Sequence, residues 1–325
     1  LCFSLFDGVS VFLGKTQSDR LSIEKAMSEA MRGILLKVSG YSKTLEMPVV
    51  RRLISSPEDF VNEYQIISGQ VDNSLMINFS FNKKKLKDFI SNNGLPIWTA
   101  KSSKVLFYFP CLYSNQLDLD YQENYKRCLK HHEDLELLAT SRSLIMISPT
   151  LDLLDTTQLN SLDTRDLTYT LNKISRRYGL EDWLVCFEVD EYGRPLEEII
   201  CQSNFNKLRS SSSKAITSLA DNVSKKSRLS IDRNNESTVM VLMENVDSYL
   251  EYVEIRNLLD SLLLISSHNL SEIRGSNLYF NLQINGNSSD LRKIFGSDPY
   301  FLVSGDQENK NLSEELIILE YQFIN

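Results

Sequence analysis

Three histidines, five cysteines and two tryptophans in 325 residues leave little material for the common catalytic and metal-binding constellations. His131 and His132 are neighbours, and adjacent helical positions do not share a face, so they make a poor metal pair. The stretch His131-His-Glu-Asp134 reads instead as a solvated helix end. No two cysteines stand in C-x-x-C spacing, which argues against a structural zinc site. No histidine has a local context that marks a serine or cysteine nucleophile, although such partners need not be near in sequence. Apolar runs are short: none approaches the roughly 20 residues of a membrane span. Positive charge is also in deficit. The formal net charge is -8, which argues against nucleic acid as the main partner, because phosphate binding needs a basic footprint. The one dense basic run, Lys83-Lys-Lys-Leu-Lys87, reads as an exposed first helical turn.

Apolar residues make up 42% of the chain and charged residues 24%, an ordinary globular composition that can bury large cores without metals or disulfides. Two cysteines stand out. Segments 182–189 and 196–205 read as strands joined by a turn around Glu191-Tyr-Gly-Arg-Pro195. A turn centred on Gly193-Arg194 places Cys186 opposite Cys201. The reading favours two buried thiols, with a cross-strand disulfide as the alternative in an oxidising compartment. The triplet Gly14-Lys15-Thr16 invites a phosphate-binding loop, but that motif needs a glycine five residues earlier, where Val9 stands. The preceding strand occupies the place of the loop, so its N–H groups serve a sheet instead. The apolar start, Leu1-Cys-Phe-Ser-Leu-Phe6, is either an N-terminal strand or the tail of a signal-peptide core.

The pattern along the chain predicts an α+β protein of three small mixed domains at 1–100, 104–226 and 235–325. In the first, the strand 9–13 precedes a helix with apolar residues at Ile23, Ala26, Met27, Ala30, Met31, Ile34, Leu35 and Val38, a spacing that presents one face to a sheet. Gly40 then ends the helix. Ser56-Pro57 reads as the start of a short helix through Tyr64. The alternation of Leu75, Ile77, Phe79 and Phe81 predicts a half-buried strand. The middle segment alternates strands and helices, with 149–155 as a loop. A polar linker at 225–237 follows. The last segment reads β-α-β-β-α-β plus an extra strand, a ferredoxin-like order.

Few residues qualify as a binding site. Asp152, Asp155, Asp163 and Asp166 could be paired carboxylates or Ca²⁺ ligands, but their spacing does not fit an EF-hand loop, and caps or turns account for them more simply. Trp98 and Trp183 could line a ligand groove; Trp183 reads as core and Trp98 as packing at a domain edge. Trp98, Asp152 and Asp155 are the candidate ligand or interface residues. No catalytic residue, cofactor or metal site is expected.

Several motifs in order resemble one family of uncharacterised proteobacterial proteins, domain of unknown function 2066. They are Arg20, Ala26 and Ala30 with the helix end Ile34-Leu-Leu-Lys-Val-Ser-Gly40, the segment 48–64, the strand 75–81, and Gly94-Leu-Pro-Ile-Trp98. The strand 105–109, Pro149-Thr-Leu-Asp-Leu-Leu-Asp155 and Ser175-Arg-Arg-Tyr-Gly179 continue the series. The resemblance implies export and a periplasmic or envelope location behind a signal peptide; it implies no activity. The acidic strand end and Asp-Gln-Ser run typical of that family are reduced here to Gln17-Ser18. Together the readings lead to a non-catalytic envelope protein that acts by contact with protein partners. The alternative is a small-ligand or carbohydrate-binding protein that uses an interdomain cleft.

Overall fold

A computed structural model describes residues 9–14, 20–68, 75–98, 103–113, 121–160, 167–188, 199–230, 236–296, 301–308 and 315–321. Residues 1–7, Lys15-Thr16, Asp163, Asp166, the turn at 191–195 and residues 231–235 of the expected linker at 225–237 lie outside them. The chain divides into two units. One contains 1–39, 43–101 and 227–325, and the other contains 40–42 and 102–226.

The first unit begins with β1 (Val9–Gly14) and α1 (Arg20–Ser39), followed by α2 (Pro48–Ser55), β2 (Val61–Ser68), β3 (Leu75–Phe81), α3 (Lys83–Asn92) and β4 (Pro96–Trp98). The first three strands form an antiparallel sheet in the order β1-β3-β2. The 3, 4 spacing read in α1 buries Ala26, Met27, Ala30, Met31, Ile34, Leu35 and Val38 against Ile77, Phe79 and Phe81 of β3. Gly40 takes φ 59°, as the residue after a helix end does when it must accept a left-handed conformation. Asn82 caps α3, its Oδ1 accepting from Lys85 N at 2.9 Å.

The expected helix from Pro57 to Tyr64 is corrected by the structure. Pro48 instead occupies the first turn of α2, which buries Val50, Leu53 and Ile54. Glu58–Phe60 is a single 3₁₀ turn, and Val61 onward is a strand paired with β3. Local punctuation at Ser56-Pro57 resembled a helix start, but Val61, Tyr64, Ile66 and Ile67 are β-formers with an open sheet edge to pair with, and the ladder prevails.

The second unit runs β5 (Ser103–Tyr108), α4 (Tyr121–Ser141), β6 (Leu144–Ile147), α5 (Leu153–Asn160), α6 (Leu167–Arg177), β7 (Trp183–Glu188), β8 (Ile199–Ser203), β9 (Asn206–Ser211) and α7 (Ser212–Lys225). Its sheet has the order β6-β5-β7-β8-β9. β5 is parallel to both β6 and β7, and the last two strands are antiparallel additions. Crossover connections place helices on such a sheet, so its central strands read as continuous apolar runs: Val105 to Phe109 and Trp183 to Cys186 are all buried. The loop expected at 149–155 is overtaken from Leu153 onward by α5. Gly40–Ser42 belongs to this unit: Asp221 on α7 accepts from Ser42 N at 2.9 Å and from Ser42 Oγ at 2.5 Å, and also from Arg142 Nη2 at 2.7 Å.

The first unit resumes with β10 (Arg228–Ser230), which pairs with β4, then β11 (Glu236–Glu244), α8 (Tyr249–Ser261), β12 (Ile265–Arg274), β13 (Asn277–Asn285), α9 (Ser288–Gly296), β14 (Phe301–Glu308) and β15 (Glu315–Tyr321). Ser248 and Glu251 form a reciprocal capping box at the start of α8. The sheet order is β12-β13-β11-β15-β14, with β11 and β15 parallel. The chain order β-α-β-β-α-β plus one strand matches the expectation, but the extra strand does not sit at an edge. It lies between β11 and β14, so two strands rather than one separate the pair joined through α9. The ferredoxin-like description therefore holds for element order and not for strand order. Val239, Val241, Phe280, Leu282, Ile284 and Phe295 centre its core. The fold class is α+β, and none of the described helices is long and apolar enough to cross a membrane.

Candidate functional site

Three parallel strands, β5, β6 and β7, end at the same edge of the second unit's sheet. The chain leaves β5 for β6 on one side and returns past it to β7 on the other. At such a switch point the loops after the strand ends part, and open α/β sheets place their ligands there. Two polar clusters stand at this edge.

The first follows β6. Asp152 Oδ1 accepts from the N–H groups of Leu154 (3.1 Å) and Asp155 (3.0 Å), so it caps α5. Arg177, at the end of α6, donates through Nη1 to Asp152 Oδ1 (2.7 Å) and to Asp155 Oδ1 (2.6 Å), and through Nη2 to Asp152 Oδ2. Asp155 is 0% exposed and also accepts from Tyr178 OH at 2.5 Å. The Tyr178 oxygen in turn accepts from Thr150 N at 2.8 Å. The hydrogen bond from the Arg177 guanidinium, followed by that from the Asp155 N–H, holds the Asp152 carboxyl well below the usual carboxylate range. The same pairing raises the Arg177 guanidinium above its ordinary value. These two aspartates are brought together, and their charge is answered by one arginine and a helix N-terminus. That arrangement closes the loop after β6 onto α6.

The second cluster lies where β5 and β7 end. Cys111 sits in the 3₁₀ turn Pro110–Tyr113 after β5, and Cys128 lies on α4; their sulfurs are at bonding distance with Cα atoms 5.7 Å apart. Glu188, the last residue of β7, accepts from Arg127 Nε at 3.2 Å and Nη2 at 3.1 Å. Asn124 Oδ1 accepts from Arg127 Nη1 at 3.1 Å, and His131 Nε2 lies 3.8 Å from Glu188 Oε1. The two sulfurs and a Glu188 carboxylate oxygen all fall within 4.8 Å of one another. Sequence reading missed this cluster. Its members come from three elements, and the 17-residue cysteine separation is no recognised spacing. The one available signal was that Asn124, Arg127, Cys128 and His131 recur at helical i, i+3, i+4 and i+7 positions.

The remaining candidates are placed as follows. Cys186 and Cys201 are direct cross-strand partners in the β7–β8 ladder, both 0% exposed, with sulfurs 2.02 Å apart. Trp98 is 1% exposed on β4 in the first unit, where its Nε1 donates to Ser227 Oγ at 3.0 Å. Trp183 is 0% exposed, its Nε1 donating to Asn172 Oδ1 at 2.7 Å. Both tryptophans fill cores with their one polar atom satisfied, as buried indoles usually do.

Residues 5–99 match the model of a family described as Domain of unknown function (DUF8605). This match covers less than a third of the chain. It is to a different family from domain of unknown function 2066, the family expected from the motif order, and it supports an uncharacterised domain in that region. Nothing among curated proteins or solved structures matches the chain.

Proposed function

We propose that this is an exported, cystine-stabilised protein of the bacterial envelope that acts by contact with protein partners and not by catalysis. The observation that carries the reading is the second unit's pairing of four of the chain's five cysteines. Cysteine pairs at bonding distance persist in oxidising compartments and are rare in reducing ones. Closing loops of 15 and 17 residues stabilises a fold by about 3 kcal/mol each in the chain-entropy account. The non-catalytic part rests on how the polar edge is used. Arg177 answers Asp152 and Asp155, and Arg127 answers Glu188. The negative net charge favours protein over nucleic-acid partners. The motif order resembling domain of unknown function 2066 adds to the case for export.

The test compares protein produced with and without an export signal, by intact mass and peptide mapping after alkylation. Exported material is expected to carry both pairs oxidised and to lose thermal stability on reduction. Free thiols at all four positions in exported material would overturn the compartment reading. Cross-linking in isolated envelopes that recovers no partner saturably and reproducibly would overturn the contact reading.

A further inference from the structure

The two cysteine pairs are built differently. Cys186 and Cys201 are wholly buried in adjacent strands, whereas Cys111 is partly exposed in a turn at the ligand-favouring edge of the sheet. Around Cys111 and Cys128 stand groups that a purely structural cystine does not need. Glu188 places a carboxylate oxygen within 4.8 Å of both sulfurs. His131 lies three residues on from Cys128, on the same face of α4, with Nε2 3.8 Å from Glu188 Oε1. His131 and Glu188 are largely buried, at 19% and 15% side-chain exposure, so little movement is open to them.

Two sulfurs, an imidazole nitrogen and a carboxylate oxygen are the donors that a borderline-soft divalent cation prefers. Tetrahedral zinc with bonds of about 2.0–2.3 Å holds its ligand atoms about 3.3–3.8 Å apart. His131 Nε2 and Glu188 Oε1 are 3.8 Å apart, at the upper end of that range, and a Glu188 carboxylate oxygen lies within 4.8 Å of both sulfurs. At a Cα–Cα distance of 5.7 Å, side-chain rotation alone can part the sulfurs to this spacing. We propose that reduction of the Cys111–Cys128 pair converts this cluster into a site for one zinc-class divalent cation, ligated by Cys111, Cys128, His131 and Glu188.

The steps balance. An external dithiol gives two electrons and two protons to the cystine and becomes a disulfide. The two thiols then release their protons to solvent as the cation binds. Glu188 exchanges the Arg127 guanidinium for the metal. Arg127 is 36% exposed on its side chain, so it can swing into water. The same residue is a built-in competitor: it is the cation that holds Glu188 while the sulfurs are joined. The site is therefore gated by redox state, and this goes beyond the export reading, which needs only that the cystines form.

The test uses the full chain, reduced with a phosphine, freed of reductant under anaerobic conditions, and titrated with Co²⁺ and then Zn²⁺. One Co²⁺ per chain is expected, with a thiolate-to-metal absorption band that zinc displaces and that the oxidised chain does not show. Cys111→Ser removes the band. His131→Ala and Glu188→Gln weaken binding at least about tenfold. Arg127→Gln tightens it, an effect that a merely structural role for the salt bridge does not produce. Equal binding by oxidised and reduced chain, a band that survives Cys111→Ser, or reduced protein that binds no Co²⁺ would each overturn the proposal. Far-UV circular dichroism of each variant separates lost ligation from lost folding, and the Arg127→Gln arm stands even where a cysteine variant does not fold.

Discussion

Substitution of Arg177 by Met tests the assignment of the aspartate cluster as structural. The variant keeps a stem of similar length and removes the guanidinium that answers Asp152 and Asp155. Asp155 is fully buried, so the change strands a carboxylate whose remaining side-chain donor is Tyr178. Removing one partner of a buried pair costs about 3–5 kcal/mol. Arg177 itself is 36% exposed, so water reaches the vacated position and lowers the expected cost to about 2–3 kcal/mol. The chain's two tryptophans divide between the units, which makes the measurement clean. In a Trp98→Phe background, Trp183 alone reports the unit that contains the cluster. With a urea slope of about 1.5 kcal/mol per molar, the Trp183 transition should fall by about 1–2 M. The double variant Arg177→Met/Asp155→Leu should recover at least half of the loss, because replacing both members of a buried pair with apolar groups is often nearly neutral. A single-variant shift below about 0.3 M, or a double variant as unstable as the sum of the singles, would refute the reasoning and reopen the aspartates as a ligand site.

Two further outcomes follow from the geometry. The Asp152 carboxyl titrates below its ordinary value of 3.8 in the folded chain, so its contribution is present above about pH 4 and is lost as the pH falls further; Asp152→Asn should flatten the acid limb of a melting-temperature profile, and parallel profiles would exclude it. Gly179 follows α6 with φ +68° and open space where a Cβ would go, so Gly179→Ala should cost about 1 kcal/mol in the Trp183 transition from backbone strain alone, and an unchanged midpoint would contradict the left-handed assignment.

The parts of the fold legible in the sequence were those fixed by local repetition. The spacing from Ala26 to Val38, the alternation from Leu75 to Phe81 and the capping residues Asn82 and Ser248 each act within one element. Their physics is therefore written in neighbouring letters. The stretch 57–64 failed because its outcome depended on a partner: the β3 edge decides that Val61 onward is a strand, and β3 begins more than ten residues later. Strand order failed in the same way. The sequence shows seven elements in the last segment, but whether the final strand joins an edge or inserts beside β11 is decided by which ladder buries Ile317.

The candidate site divides along the same line. Residue type and short spacing made Asp152 and Asp155 visible, and they made Cys186 and Cys201 visible through a hairpin. Composition argued against a basic nucleic-acid face, and the sequence offered no apolar run of the length of a membrane-spanning helix. Only the tertiary structure decided that Arg177 answers the aspartates from the far end of another helix. Only it gathered Cys111, Cys128, His131 and Glu188 at one edge. Those meetings are set by parallel strands that begin in separate parts of the chain and end together, and a crossover of that kind leaves no periodic trace in the residues it connects.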